Sequence, residues 1–332
     1  MAIFSKSVMA ATVVTLSVAA AAGAQARRAI RENGAGTTSK WTAPRTQWGD
    51  PDLQGLWPSI DMQGTPYERP PELAGKAVLG DEEFVARSKT QNARPRGWGE
   101  QGVPSRQASL IVEPADGRLP PLTPEGQRRF ATAKSTYYLD FPDAVVHHPF
   151  DTFEDLGPYD RCITRGVLAS MMPTAYNMGN EIFQIPGYVI IRNEMIHETR
   201  SIPLDGRSHI SSRIRQYMGD SRGHWEGDTL VIETTNFNGK VGMTRNGNTA
   251  PTSTELRLVE RLTRTDADTI QYEATVNDPQ IWVRPWKVSL PLKRHSDYGM
   301  FEYACHEGNY AMKNILSGAR ADDREAVPFP AR

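Results

Sequence analysis

The chain has 332 residues, and its 38 lysines and arginines against 39 aspartates and glutamates give a formal net charge of −1. Nothing in this balance suggests binding to nucleic acids or anionic membranes, which requires clustered lysines and arginines. Hydrophobic residues make up 39% of the chain, enough for a sizeable core, whereas 24 prolines and 27 glycines predict many turns and long ordered loops.

Residues 1–26 have the pattern of an export signal. One positive charge, Lys6, precedes an apolar stretch over residues 8–22, and Ala24 and Ala26 form a small-x-small cleavage pattern. The apolar stretch is shorter than the ~20 residues of a membrane-spanning helix. We therefore expect a periplasmic or secreted protein, cleaved after Ala26 and without a membrane span in its mature form.

The rest of the chain divides by composition. Residues 27–40 are polar and aperiodic, which predicts a flexible leader, and residues 41–180 are rich in proline. We interpret residues 41–180 as a segment that wraps over a core made elsewhere. Its predicted helices are 81–92 and 123–135. Residues 181–320 are expected to form an antiparallel β domain, and 321–332 a C-terminal tail.

Eight runs in the second half of the chain show period-two or β-branched patterns with turn signals between them. They span residues 181–185, 188–195, 198–204, 229–237, 255–263, 269–276, 286–292 and 300–305. The connections are too short for crossover helices, so neighbouring strands should pair antiparallel. The fold class is therefore mainly β, an antiparallel up-and-down barrel, with a two-sheet sandwich as the alternative.

An early run at residues 52–57 contains Gly55-Leu56-Trp57, which resembles the Gly-x-Trp pattern near the start of lipocalins. In that family the tryptophan seals one end of the barrel, so the resemblance implies a lipocalin-like barrel in which Trp57 has this place. Residues 41–320 also resemble a group of exported bacterial proteins of unassigned function. The shared stretches read DPDLQG from residue 50, IHETR from 196, GDSRG from 219, WEGDTL from 225 and CHEGNY from 305. This resemblance supports the architecture and implies no activity.

The two cysteines, Cys162 and Cys305, are expected to form a disulfide in an oxidising compartment. The bond would bring Asp160 and Arg161 next to His306. We then expect His306 to act as a base oriented by Asp160 or Glu307, with Arg161 binding the substrate. The alternative is a core histidine whose ring is satisfied by a neighbouring carbonyl.

A charged strand is the second candidate site. Alternation over residues 188–200 places Arg192, Glu194, Glu198 and Arg200 on one face. Facing solvent, these would be ordinary exposed charges. Facing a barrel cavity, Glu194 and Glu198 would act as acid and base, and Arg192 or Arg200 would hold an anionic group.

Aromatic residues complete the candidate binding set. Trp282, Trp286 and Tyr310 are expected to contact the substrate, and packing in the core is the alternative. A non-catalytic protein would hold its ligand on Trp57, Trp282 and Trp286.

A metal site would have to combine His147 or His148 with His197 or His306, and these spacings match no metal signature. Glycine-rich nucleotide motifs are likewise missing from the sequence. We therefore expect no metal and no organic cofactor.

Together these patterns predict an exported enzyme that acts on a small, partly apolar molecule by metal-free acid–base chemistry in a β-barrel cavity. Lyase, isomerase and hydrolase activities all fit this chemistry. The alternative is a non-catalytic, lipocalin-like binding protein for a hydrophobic ligand.

Overall fold

A computed structural model of the chain describes residues 41–92, 100–132, 150–243 and 251–325. The predicted export signal and leader, and the His147–His148 pair of the metal alternative, lie outside these residues. Apart from Trp41 and Thr42, the described residues belong to one compact unit, Ala43–Arg332.

Ten strands are present in the described part of the chain. In chain order they are β1 (Gly55–Leu56), β2 (Ile111–Glu113), β3 (Asn180–Ile185), β4 (Tyr188–Asn193), β5 (Thr199–Pro203), β6 (Asp220–Glu226), β7 (Thr229–Thr235), β8 (Arg257–Arg264), β9 (Thr269–Asn277) and β10 (Trp286–Lys293). They form a four-stranded sheet, in the order β1-β3-β4-β5, and a six-stranded sheet, in the order β2-β10-β9-β8-β7-β6. Every strand pair in the two sheets is antiparallel.

The prediction of a mainly β, antiparallel fold is confirmed, but the described strands do not close into one barrel. No strand pairing joins the two sheets within the described ranges. The arrangement is therefore that of a two-sheet sandwich or an open β fold.

Four α-helices lie in the described residues, and the last two of them were not predicted. They are α1 (Asp81–Asn92), α2 (Pro124–Thr132), α3 (Val167–Met171) and α4 (Ala311–Glu325). The first matches its predicted range, whereas α4 covers the end of the segment expected to be β, 181–320, and the start of the expected tail, 321–332. Its apolar side chains at Met312, Ile315, Leu316 and Ala319 follow helical spacing and pack with Phe150 and Leu156. None of these helices is both long and apolar enough to cross a bilayer.

Two strand assignments differ from the sequence-based expectation. Residues 300–305 are not a strand, because the backbone N–H of Phe301 donates to the Glu194 carboxylate instead of to a neighbouring strand. Conversely, β6 lies at Asp220–Glu226, where no strand was predicted. Its Gly223 lies under the small sheet, since a Cβ there would come within 2.7 Å of Leu204 and 2.9 Å of Ile202.

The inward faces of the two sheets share one hydrophobic core. Ile182, Val189, Ile191 and Ile202 come from the small sheet, and Leu230, Ile232, Leu258, Leu262, Ile270 and Leu290 from the large one. The proline-rich segment adds Leu53, Trp57, Met62, Leu110 and Ile111 to the same cluster. This segment therefore supplies part of the core and does not only wrap over it. The space between the sheets is filled by packed side chains.

Trp57 is fully buried in this core, and its Nε1 donates to the carbonyl of Leu53 at 2.8 Å. The guanidinium of Arg294 lies 4.2 Å from its ring centroid. Gly55 permits this approach, because it has a φ of +123° and a Cβ there would come within 2.8 Å of Arg294. The Gly-x-Trp pattern thus reflects core packing against an arginine.

Candidate functional site

The predicted disulfide between Cys162 and Cys305 is confirmed, with the two Cα atoms 5.7 Å apart. It joins the loop before α3 to the segment between β10 and α4. The bond therefore fixes the position of the residues around Tyr303 relative to the rest of the fold.

The disulfide does not assemble the expected pair of His306 and Asp160. His306 is exposed, and its ring makes no hydrogen bond to any described residue. Asp160 accepts a hydrogen bond from the backbone N–H of Gly157 at 3.2 Å, within its own loop. Among the described residues, the geometry of a base held by a carboxylate is therefore absent at His306.

Arg161 lines a polar cleft of about 540 Å³ together with Arg129, Glu154 and Lys240. His306 is not among the residues that line this cleft. Its guanidinium carbon lies 5.7 Å from the ring centroid of Phe153.

The four charges predicted to share one strand face do not do so. β4 ends at Asn193, a turn follows, and β5 runs back with Arg200 paired opposite Ile191. Arg192 lies on the outer face, where its side chain is 46% exposed and pairs with Glu181 at 2.5 Å. Arg200 points inward and is 6% exposed. The expectation of one charged face is wrong because a turn separates β4 from β5, and the alternation of inward and outward side chains does not continue through it.

Arg200 lies in the core, where it forms a two-bonded ion pair with Glu260. The Tyr272 hydroxyl donates to Glu260 at 3.0 Å. Burial lowers the pKa of Arg200, but the charge and hydrogen bonds of Glu260 outweigh it and raise the pKa overall. The guanidinium is therefore committed to a core carboxylate and is not available to a substrate.

Glu198 follows the turn and is partly buried. It accepts a hydrogen bond from the Thr164 hydroxyl at 2.6 Å. Burial is the largest influence on its carboxyl group and raises the pKa above 4.5, against smaller opposing effects of Thr164 and Arg200.

The aromatic residues expected to bind substrate lie in two different environments. Trp282 and Trp286 are 5% and 1% exposed, and their rings meet edge to face at 6.0 Å in the core. Trp57 is also buried, so the three tryptophans form no open platform. Tyr310 is 65% exposed just before α4.

The turn between β4 and β5 is strained. Ile196 and His197 have φ values of +59° and +44°, in the left-handed region that favours glycine. A β-branched residue in this region is a clear outlier, and such strain often accompanies functional sites. The turn is held by a hydrogen bond from the His197 backbone N–H to the carbonyl of Glu194 at 3.0 Å.

The ring of His197 is oriented by a backbone carbonyl. Its Nδ1 lies 3.0 Å from the carbonyl oxygen of Tyr303. Because a carbonyl oxygen can only accept, Nδ1 must carry the hydrogen in this contact. In the neutral ring, Nε2 then holds the basic lone pair.

His197 opens into a surface pocket of about 250 Å³. The pocket is lined by Arg192, Asn193, Glu194, His197, Met300, Phe301 and Glu302. We call this the His197 pocket. It combines one imidazole, an apolar wall and a buried carboxylate.

Glu194 is 1% exposed and is fully hydrogen-bonded at the base of the His197 pocket. One of its oxygens accepts from Asn177 Nδ2 and the Phe301 N–H, each at 2.9 Å. The other accepts from the Gly179 N–H at 3.0 Å and the Tyr298 hydroxyl at 2.7 Å. Four donors occupy the acceptor sites of the carboxylate. Glu194 therefore anchors two loops and has no lone pair left for a ligand.

A tyrosine cluster lies behind the carbonyl that orients His197. The hydroxyls of Tyr159 and Tyr303 are 3.3 Å apart, and the Tyr176 ring stacks on Tyr303 with centroids at 6.5 Å. Burial raises the pKa of Tyr159 and of Tyr303, so both hydroxyls keep their protons. The cluster and the nearby disulfide hold Tyr303, and through it His197, in place.

No three histidine, cysteine, aspartate or glutamate side chains come together to form a metal site in the parts of the chain that the structure describes. Comparison of the chain with family models, curated proteins and solved structures gave no match. The resemblances noted in the sequence therefore stay predictions.

Sequence reasoning considered His197 only as a metal ligand and did not select it as a base. The one available signal was its place in the IHETR stretch. No sequence pattern indicated Tyr298, because its contact with Glu194 joins residues 104 positions apart.

Proposed function

We propose that the protein is an exported enzyme that uses His197 as a general base on a small, partly apolar molecule in the His197 pocket. The observation that carries this proposal is the hydrogen bond from His197 Nδ1 to the Tyr303 carbonyl, which leaves Nε2 as the basic atom of the neutral ring. The strain at Ile196 and His197 supports it, since the fold maintains this orientation at a conformational cost.

The charges around the pocket favour a neutral or cationic substrate over an anion. Arg192 is already paired with Glu181, and Arg200 is paired in the core. Glu194 and Glu302 contribute negative charge to the lining. Anion binding by the arginines therefore has little support, and Met300 and Phe301 are the surfaces for the apolar part of the substrate.

Export is part of the proposal and is supported by the Cys162–Cys305 disulfide. Disulfides form and persist in the periplasm and outside the cell, and are rare in reducing cytosol. A periplasmic or secreted location agrees with the export pattern of residues 1–26.

A base that takes one proton serves lyase, isomerase and hydrolase chemistry alike, so the test must not assume one reaction. We propose to incubate the mature protein with a panel of p-nitrophenyl esters and, in deuterated water, of aryl ketones. Ester cleavage is followed by absorbance, and exchange of the protons next to the ketone by NMR.

The informative variant is His197→Asn, because the amide nitrogen replaces Nδ1 as donor to the Tyr303 carbonyl while Nε2 is lost. We expect it to fold normally and to lose about 10²-fold or more of the activity. His224→Asn, at an exposed histidine paired with Glu226, is the matched control and should keep the activity. His306→Asn tests the base expected from the sequence. Equal turnover by wild type and His197→Asn, or no turnover of the panel by wild type, would contradict the proposal.

A second candidate is a binding protein without turnover. Phe301 favours it, because its side chain is 75% exposed at the pocket and offers an apolar surface to a ligand. In that case a small aromatic ligand would bind wild type and His197→Asn equally, and Phe301→Ala would weaken its binding.

A further inference from the structure

One tyrosine hydroxyl lies between two carboxyl groups, one of which, Glu194, lines the His197 pocket. The Tyr298 oxygen is 2.7 Å from Glu194 Oε2 and 2.9 Å from Glu100 Oε2. It also accepts a hydrogen bond from the backbone N–H of Met178 at 3.0 Å. The other oxygen of Glu100 accepts from the Asn177 N–H at 2.6 Å.

A count of hydrogens shows that this arrangement lacks one proton if both carboxyl groups are ionised. Tyr298 has a single hydroxyl hydrogen and can donate it to one acceptor only. If it donates to Glu194, the nearer group, then two oxygens with lone pairs face each other between Tyr298 and Glu100. A proton on Glu100 Oε2 removes this conflict, because Glu100 then donates to Tyr298 and Tyr298 donates to Glu194.

We propose that Glu100 takes up a proton to complete a Glu100–Tyr298–Glu194 bridge, and that this proton holds the Met300–Phe301 wall of the His197 pocket in place. The proposal makes Glu100 and Tyr298 positioning residues of the pocket. Only its consequence for ligand binding rests on the proposed function.

The surroundings of Glu100 agree with protonation. Burial is the largest influence and raises the pKa of Glu100 above 4.5. The hydrogen bonds from the Asn177 N–H and Tyr298 oppose it, the negative charge of Glu194 adds a smaller upward effect, and the Met178 N–H lowers the pKa least. Burial also raises the pKa of Tyr298, which keeps the hydroxyl protonated. The charged or titratable groups that line the pocket beside Glu194 are Arg192, His197 and Glu302, and Arg192 is paired with Glu181.

The bridge is connected to the pocket wall by close contacts. Phe301 donates its backbone N–H to Glu194, and Met300 packs against Gly179, where an added Cβ would lie 2.9 Å from the Met300 Cγ and 2.8 Å from Glu194 Oε2. A second negative charge on Glu100 would repel Glu194 and remove one hydrogen bond. The segment from Tyr298 to Phe301 would then be held less firmly.

The sign of the pH effect follows from the raised pKa. The contribution of Glu100 to the free energy of unfolding is fully present below about pH 4.5, the ordinary pKa of glutamate. It is lost as the pH rises through the raised pKa of Glu100. Glu100→Gln replaces the acid by an amide that donates to Tyr298 at every pH. The variant should therefore lack this component of the pH dependence.

The experiment uses the mature, ligand-free protein, so its outcome does not depend on the proposed activity. We would measure the hydrogen-exchange protection factor of the Phe301 amide between pH 4.5 and 8 by NMR, after correction for the intrinsic exchange rate. In wild type we expect protection to fall by about tenfold as Glu100 ionises, because the hydrogen bond from Glu100 to Tyr298 is lost. In Glu100→Gln the protection factor of the Phe301 amide should stay constant with pH. In the control Glu72→Gln, at an exposed glutamate, this protection factor should fall as in wild type.

A second measurement needs no variant. Wild-type protein with ¹³C-labelled glutamate carboxyl groups should show Glu100 titrating above pH 4.5. A Glu100 signal that titrates at or below 4.5, or Phe301 protection that is constant with pH in wild type, would overturn the proposal. The activity of His197 is tested separately, so failure of the bridge and failure of the proposed function are distinguishable.

Discussion

Arg200 and Glu260 face each other across the core with two hydrogen bonds, Nη1 to Oε2 at 2.7 Å and Nη2 to Oε1 at 2.9 Å. Arg200 comes from β5 of the small sheet and Glu260 from β8 of the large one, so the pair joins the two sheets. Neither side chain is more than 6% exposed. Arg200, which the sequence pattern assigned to substrate binding, is therefore paired with a carboxylate in the core.

We predict that Glu260→Gln lowers the free energy of unfolding by about 3–5 kcal/mol, because it leaves the buried Arg200 charge without a counter-charge. Urea denaturation monitored by tryptophan fluorescence measures this change. The control is Glu113→Gln, which breaks the pair with Lys287 at a glutamate side chain that is 63% exposed, and should cost less than about 1 kcal/mol. Equal losses in the two variants would contradict a core role for the pair.

Glu198 should make stability depend on pH. Burial raises its pKa above 4.5, so its contribution is present below about pH 4.5 and is lost as the pH rises through the raised value. Glu198→Gln keeps an acceptor for the Thr164 hydroxyl and does not titrate. We expect the variant to gain stability relative to wild type between pH 4.5 and 8, whereas Glu307→Gln, at an exposed residue, should follow wild type. A constant difference between Glu198→Gln and wild type across this range would refute the expectation.

Two glycine substitutions separate backbone strain from steric clash. Gly55 and Gly187 both have positive φ, +123° and +80°, but only at Gly55 would a Cβ meet another group, the Arg294 guanidinium at 2.8 Å. We expect each Gly→Ala variant to lose about 1 kcal/mol or more through strain, with a further loss in Gly55→Ala as Arg294 moves off Trp57. Thermal unfolding of the two variants gives the difference. A larger loss in Gly187→Ala would count against the packing of Arg294 on Trp57.

The disulfide closes a loop with a sequence separation of 143 residues. The Cys162→Ser, Cys305→Ser double variant should lose about 2–5 kcal/mol, because the cross-link restricts the unfolded chain. Wild type treated with reductant is the matched control and should unfold at the same denaturant concentration as the variant. If the double variant is as stable as oxidised wild type, the loss of the disulfide has no energetic consequence and the prediction fails.

Local patterns were sufficient for much of the fold. Alternation of β-branched residues with turn signals located seven of the ten described strands, β3 to β5 and β7 to β10. The early run at residues 52–57 contains β1, and α1 was predicted over its observed range. The two cysteines, together with the export pattern, indicated the disulfide. These features depend on neighbouring residues or on a single possible pairing, so the sequence contains the information they need.

The candidate site depended on tertiary structure, for two physical reasons. Strand alternation holds only within one strand, so the turn at Ile196 and His197 put Arg192 outside and Arg200 inside although the spacing placed them together. The contacts of Glu194 with Tyr298 and of His197 with Tyr303 join residues more than 100 positions apart. Such contacts arise from the packing of whole segments against each other, and no local periodicity encodes which distant segments meet.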